Sequence, residues 1–194
     1  WTGPDSFSSS AQNPSIAVAT TNATGTYSLT VTSNGCPSAA GTTAATVNET
    51  PAAPSPSNNG PICFGQTLNL FANTTASSYI WTGPDSFSSS AQNPSIAGAT
   101  TNATGTYNLK VASAAGCTSA VASTSATVND LPACSIVTEF CATNIAGAAY
   151  LWSGPGGFGT NTPCTGSIAA TGTYSVVIID ASGCTNTCQR TLAP

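Results

Sequence analysis

The chain has no histidine and no methionine, and only two basic residues, Lys110 and Arg190, against six acidic ones. Each shortage excludes something. A nucleic-acid binder needs a stripe of Lys and Arg to displace counterions from phosphates, and two cations cannot form one. Docking on anionic lipid fails for the same reason. Without histidine the usual base of a nucleophilic triad is missing, and Ser6 and Ser86 lie in turns with nothing basic close in sequence. The acids Asp5, Glu49, Asp85, Asp130, Glu139 and Asp180 are scattered, which disfavours both a glycosidase carboxylate pair and a calcium cluster. Gly154-Pro-Gly-Gly157 contains Pro and no helix follows it, so it is not a phosphate loop. No apolar run approaches the roughly 18 residues that would span a bilayer. No catalytic residue, cofactor or metal is expected, and neither nucleic acid nor membrane insertion.

Repetition is what the chain has in abundance. Residues 1–27 return at 81–107 with a single change, Val18 to Gly98, and a diverged copy starts at Trp152. Recurrence at a period of about 80 residues marks a tandem array of modules. Eight cysteines in a chain without histidine speak for disulfides in an oxidising, extracellular setting rather than for zinc. Charged residues make up 4% of the chain, against roughly 25% in ordinary domains, so solubility falls to Ser, Thr, Asn and Gly, or to attached sugar. Asn22, Asn48, Asn73 and Asn102 each open an Asn-x-Ser/Thr triplet that could carry it, although an Asn- and Thr-rich chain also produces such triplets by chance. Hydrophobic content of 40% is enough for each module to bury a small core.

Residues 61–130 form the fullest module, with a partial module at 1–50, a Pro-rich linker at 51–60 and a cysteine-rich module at 131–194. Gln66-Thr-Leu-Asn-Leu-Phe71 alternates as a half-buried strand, with Leu68 and Leu70 on one face. Tyr79-Ile-Trp81 is a second apolar run, closed by the turn signal Gly83-Pro-Asp85. Thr106 to Val111 places Tyr107, Leu109 and Val111 inward and Lys110 outward, and Ala120 to Val128 supplies a last strand. No segment carries sustained helical periodicity. The expected fold class is all-β, tandem immunoglobulin-like antiparallel β-sandwiches arranged end to end. Ala103-Thr-Gly-Thr-Tyr107 resembles the tyrosine corner before strand F of immunoglobulin domains, and Trp81 takes the central position on strand C. The expected core aromatics are Trp1, Trp81, Trp152, Tyr27, Tyr107 and Tyr174.

On that alignment Leu70 and Leu109 stand where antibody domains carry their inter-sheet cysteines, and the disulfide moves to the edge as Cys63–Cys117. The third copy aligns without a gap from Cys134 to Trp152 and from Tyr174 to Cys184, so homology pairs Cys134 with Cys184. Cys141 then falls at the Leu70 position. Two arrangements stay open: Cys141–Cys164 with Cys188 left over, or Cys134–Cys188 with Cys184 left over. The first copy begins at Trp1, so the partner of Cys36 lies outside this segment. Its first strands are either upstream in the same chain or contributed by a neighbouring one.

The run Tyr79-Ile-Trp-Thr-Gly-Pro84, then Phe87, then Gln92-Asn-Pro94, then Ala103-Thr-Gly-Thr-Tyr107-Asn-Leu-Lys-Val111 and Gly116-Cys-Thr-Ser119 resembles the Ig-like or PKD-like repeats of giant secreted adhesins of Bacteroidetes-type bacteria. The resemblance covers Trp1–Val47, Cys63–Val128 and Cys134–Leu192, the last as a cysteine-rich variant. It implies a non-catalytic surface filament or adhesin stalk, exported by a type IX system, with neighbouring repeats or copies and surface glycans as partners. Two rivals stand beside it. One is a carbohydrate-binding accessory region of a secreted polysaccharide-degrading enzyme; the other is a pilus-like subunit completed by donor strands.

Overall fold

The computed structural model describes residues 1–138, 140–166, 168 and 170–193, so Glu139 lies outside the described residues. Alternation of apolar and polar side chains drives the central module into two facing sheets. One has the strand order Ala122–Ala126, Gly105–Ala112, Ser78–Thr82, Ser88–Ser89; the other has Ser95–Ile96, Leu68–Phe71, Ser57–Asn58. A short strand, Ile62–Cys63, runs parallel to Val128–Asn129. This order is that of an immunoglobulin-like sandwich, a G-F-C-C′ sheet over a second sheet centred on strand B. Leu68, Leu70, Trp81, Tyr107, Leu109 and Val111 meet between the sheets and are all buried, while Lys110 faces outward. Each such aliphatic side chain contributes about 1.5–3 kcal/mol by leaving water. The chain is all-β and immunoglobulin-like.

One boundary differs from the expectation. Ser57–Asn58 pairs with Leu70 and Phe71, and Asn58 Nδ2 donates to Thr124 Oγ1 (2.8 Å) and to the Ser125 carbonyl (2.9 Å). The C-terminal part of the Pro-rich 51–60 stretch is therefore the first strand of the central module, not spacer. Its polar composition hid a strand that is held by backbone and amide hydrogen bonds rather than by apolar burial.

The third module is built around the order Phe158–Thr160, Ala149–Gly154, Gly172–Ile179, Thr185–Leu192. Its core gathers Phe140, Tyr150, Trp152, Tyr174, Val176 and Ile178, and Ile136–Thr138 pairs with Cys141–Ala142 beside it. In the first module Gly25–Leu29 pairs with Gly41–Ala45, and Thr2 bridges to Ser28 and to Ser8. Tyr27 is buried there, but Trp1 is only half-buried and Val18 is 95% exposed. The helices described are single 3-10 turns, and none is long and apolar enough to cross a membrane.

Candidate functional site

The repeated motif builds one small device three times. The tyrosine hydroxyl donates to the carbonyl four residues upstream, Tyr27 to Ala23 (2.7 Å), Tyr107 to Ala103 (2.7 Å) and Tyr174 to Ala170 (2.8 Å). A phenylalanine packs edge-on to each ring, Phe7, Phe87 and Phe158, at 5.3 to 5.5 Å. The indole N–H of each tryptophan caps the far side of the loop by donating to the carbonyl of Gln12, Gln92 or Thr162. The glycine of Trp-x-Gly-Pro lies flat on the tyrosine ring, where a Cβ at Gly83 would overlap Tyr107. Pro84 in turn covers Gly105, whose φ of 146° only glycine adopts without strain. Asp85 and Ser86 form the turn between them, both with positive φ, matching the turn role expected for Asp5 and Asp85. Burial, with a smaller contribution from the Asp85 carboxylate, pushes the Tyr107 hydroxyl above its usual range. Trp81 and Trp152 are enclosed, so neither indole offers a flat face to a sugar.

The cysteines are where structure and expectation part. Cys63 is bonded to Cys184 of the third module, across 121 residues of sequence, and not to Cys117. The reason is the length of strand Gly105–Ala112. Cys63 sits against Asn129, beside the beginning of that strand, and Cys117 lies in the turn that follows its end. Eight residues of strand separate them by roughly 25 Å, whereas a disulfide needs Cα atoms within about 7 Å. Cys134 is likewise bonded to Cys188 and not to Cys184. Cys188 lies mid-strand opposite Val176, about 13 Å along the strand from Cys184, so a side chain that reaches one cannot reach the other. The third pair is Cys141–Cys164. Both open arrangements therefore contributed a pair, and no cysteine of the third module is left over. Cys36 and Cys117 carry free thiols.

These bonds define a junction. At the boundary of the second and third modules, Cys184 is fully buried against Cys63, and Asn186 Nδ2 donates to the Pro132 carbonyl at 3.0 Å. The turn that presents Cys184 is closed by Asp180 N to the Cys184 carbonyl (3.0 Å) and Gly183 N to the Asp180 carbonyl (3.0 Å). Asp180 Oδ1 also accepts from the amides of Ser182 and Cys184, which explains an isolated carboxylate without invoking catalysis. Sequence reasoning missed this site because it sought partners within each module. The odd number of cysteines in the third copy was the signal.

Elsewhere the surface offers modest features. A cavity of about 580 Å³ in the third module is lined by Phe140, Cys141, Cys164, Ile168, Arg190 and Leu192 among others, with the Arg190 guanidinium 5.5 Å from the Phe140 ring centroid. Among the described residues no three potential metal ligands gather. Asn22, Asn48 and Asn102 are exposed. Asn73 is also exposed, but its Nδ2 donates to the Ser55 carbonyl (3.0 Å) and to Ser57 Oγ (2.9 Å), bonds that a glycan would have to break.

No protein-family model and no curated protein sequence matches the chain. Among solved structures, the ligand-binding domain of human OSCAR is similar at 14% identity over 76% of this chain and 100% of that one, with a TM-score of 0.33. A second is Dpr2 Ig1-Ig2 in complex with DIP-Theta Ig1-Ig3, at 12% identity over 90% of this chain and 74% of that one, also with a TM-score of 0.33. The assignment of the fold stands on strand order and the tyrosine corner.

Proposed function

We propose that the chain is a non-catalytic segment of an extracellular stalk or filament, of the kind found in bacterial surface adhesins, in which immunoglobulin-like modules follow one another end to end. The observation that carries this reading is the Cys63–Cys184 bond. It joins the strand-A end of one module to the opposite, turn-bearing end of the next, and such a head-to-tail contact can repeat indefinitely along a fibre. The sparse charge and hydroxyl-rich surface suit an extracellular setting in which sugar on Asn22, Asn48 or Asn102 supplies solubility. Neighbouring repeats are the principal partners, and surface glycans are a further class of ligand. Small-angle scattering tests the reading. A compact chain of this length has a radius of gyration of about 16 Å. A rod of three modules must exceed that clearly and gain flexibility on reduction; a value near 16 Å in the oxidised protein overturns the proposal.

A further inference from the structure

Asparagine followed by glycine is open to self-modification, because a glycine without a Cβ leaves its amide nitrogen free to reach the preceding side chain. The chain holds two such pairs, Asn34-Gly35 and Asn59-Gly60. Both asparagines are exposed, so solvent access does not separate them. Hydrogen bonding does. Asn59 Nδ2 donates to the Thr67 carbonyl (3.1 Å), Asn59 Oδ1 accepts from Asn69 N (2.7 Å), and Gly60 N donates to Asn58 Oδ1 (2.7 Å). The side-chain amide that would be attacked and the nitrogen that would attack it are both held. Asn34-Gly35 is instead the two-residue turn of a hairpin in which Ser33 pairs with Cys36 and Thr32 with Pro37. Both turn residues have positive φ, 50° and 81°, as the tight turn of a hairpin requires. Among the described residues neither the Asn34 side chain nor Gly35 N has a hydrogen-bond partner, and the space beside Gly35 is open. This exposure belongs to the turn and not to where the chain starts. The repeat equivalents Ala115-Gly116 and Ser182-Gly183 are exposed as well, although a module precedes each of them.

We infer that Asn34 is a site of spontaneous deamidation and isoaspartate formation, and that the fold shields Asn59 from the same reaction. The main-chain nitrogen of Gly35 attacks Cγ of Asn34. The bond from Cγ to the side-chain nitrogen breaks, and that nitrogen leaves as ammonia with the proton that Gly35 gave up. The five-membered succinimide so formed is opened by water. Hydrolysis at Cγ restores the main chain with an aspartate, and hydrolysis at the main-chain carbonyl routes the chain through the side chain as isoaspartate. In sum one water is consumed and one ammonia released, with no oxidant or reductant. Either product adds a negative charge to a chain that already has six acidic residues against two basic ones. Isoaspartate also lengthens the main chain by one methylene. A two-residue turn has no slack for it, so the pairing of Ser33 with Cys36 and of Thr32 with Pro37 is lost with it. Asn34 has no counterpart in the other modules, whose turns carry Ala115 and Ser182 in its place.

The test ages the folded 194-residue chain in buffer at neutral pH and follows both asparagines by timed peptide mapping, with electron-transfer fragmentation to tell isoaspartate from aspartate. The expected result is loss of the amide at Asn34 at least about tenfold faster than at Asn59, the protection conferred by hydrogen bonds that must open before Asn59 can react. The same chain unfolded in urea should convert both at similar rates, because the fold alone separates them. In urea, where the turn conformation no longer matters, Gly35→Ala should slow Asn34 several-fold and leave Asn59 unchanged. Equal rates in the folded chain overturn the inference. So does a difference that persists after unfolding, which places its cause in the flanking sequence, or an Asn34 that converts in urea but keeps its amide in the folded chain.

Discussion

Removing the inter-module disulfide with the double change Cys63→Ser and Cys184→Ser should destabilise the central module more than the third, although the third is the one rich in disulfides. The magnitudes follow from the loops that the bond closes. When the central module unfolds against a folded third module, the ring runs from Cys63 to the junction at Asp130, about 67 residues, and closing it is worth about 4 kcal/mol on the chain-entropy model. The third module already has its ends tied by Cys134–Cys188. When it unfolds against a folded central module, the additional ring runs from Asn129 to Cys134, across that bond, and back from Cys188 to Cys184. That is only about nine residues, worth about 2.5 kcal/mol. Native-state hydrogen exchange read by mass spectrometry separates the two, because Gly105–Ala112 and Gly172–Ile179 are the core strands of different modules. Protection in the first should fall by more than in the second. A larger loss in Gly172–Ile179, or a change under about 0.5 kcal/mol in both, would refute the loop argument.

Four further outcomes are expected. Tyr107→Phe leaves the buried Ala103 carbonyl without its donor and should cost the central module about 1–3 kcal/mol in denaturant titration. The same residue sets an alkaline limit. Its hydroxyl titrates higher in the folded state than the ordinary value of 10.0, so the contribution is complete below pH 10 and lost as pH rises above it through the folded-state value. Tyr107→Phe should flatten that limb in hydrogen exchange or circular dichroism. Gly98→Val should destabilise by about 1–2 kcal/mol, and Val18→Gly should stabilise its own module by a similar amount, because both positions hold a left-handed φ, 60° and 53°. Thermal melts of the two single variants check the opposite signs. Gly83→Ala drives a methyl into the Tyr107 ring and should lower the melting temperature of the central module while leaving Gly172–Ile179 protected from exchange; equal loss in both modules would count against a local clash.

Much of this molecule is determined locally. The 80-residue recurrence, the alternation in Gln66–Phe71 and Thr106–Val111, and the Trp-x-Gly-Pro and Gly-Thr-Tyr motifs are enough to specify all-β modules with tryptophan and tyrosine inside, because which face of a strand meets oil and which meets water depends only on the order of side chains along it. The turn role of Asp85 is legible for the same reason. What tertiary structure decided is which cysteines meet. Cys63 and Cys117 look like a natural pair by alignment to immunoglobulin domains, but they lie at opposite ends of a sandwich, and Cys63 instead meets Cys184 of the third module. Likewise Ser57–Asn58 is a strand only because Leu70 and Phe71 present it with open hydrogen-bonding groups. Inside and outside are written into the pattern of a single strand, whereas the meeting of Cys63 with Cys184 depends on the length of one strand and the placement of another, distant in sequence, which no local pattern contains.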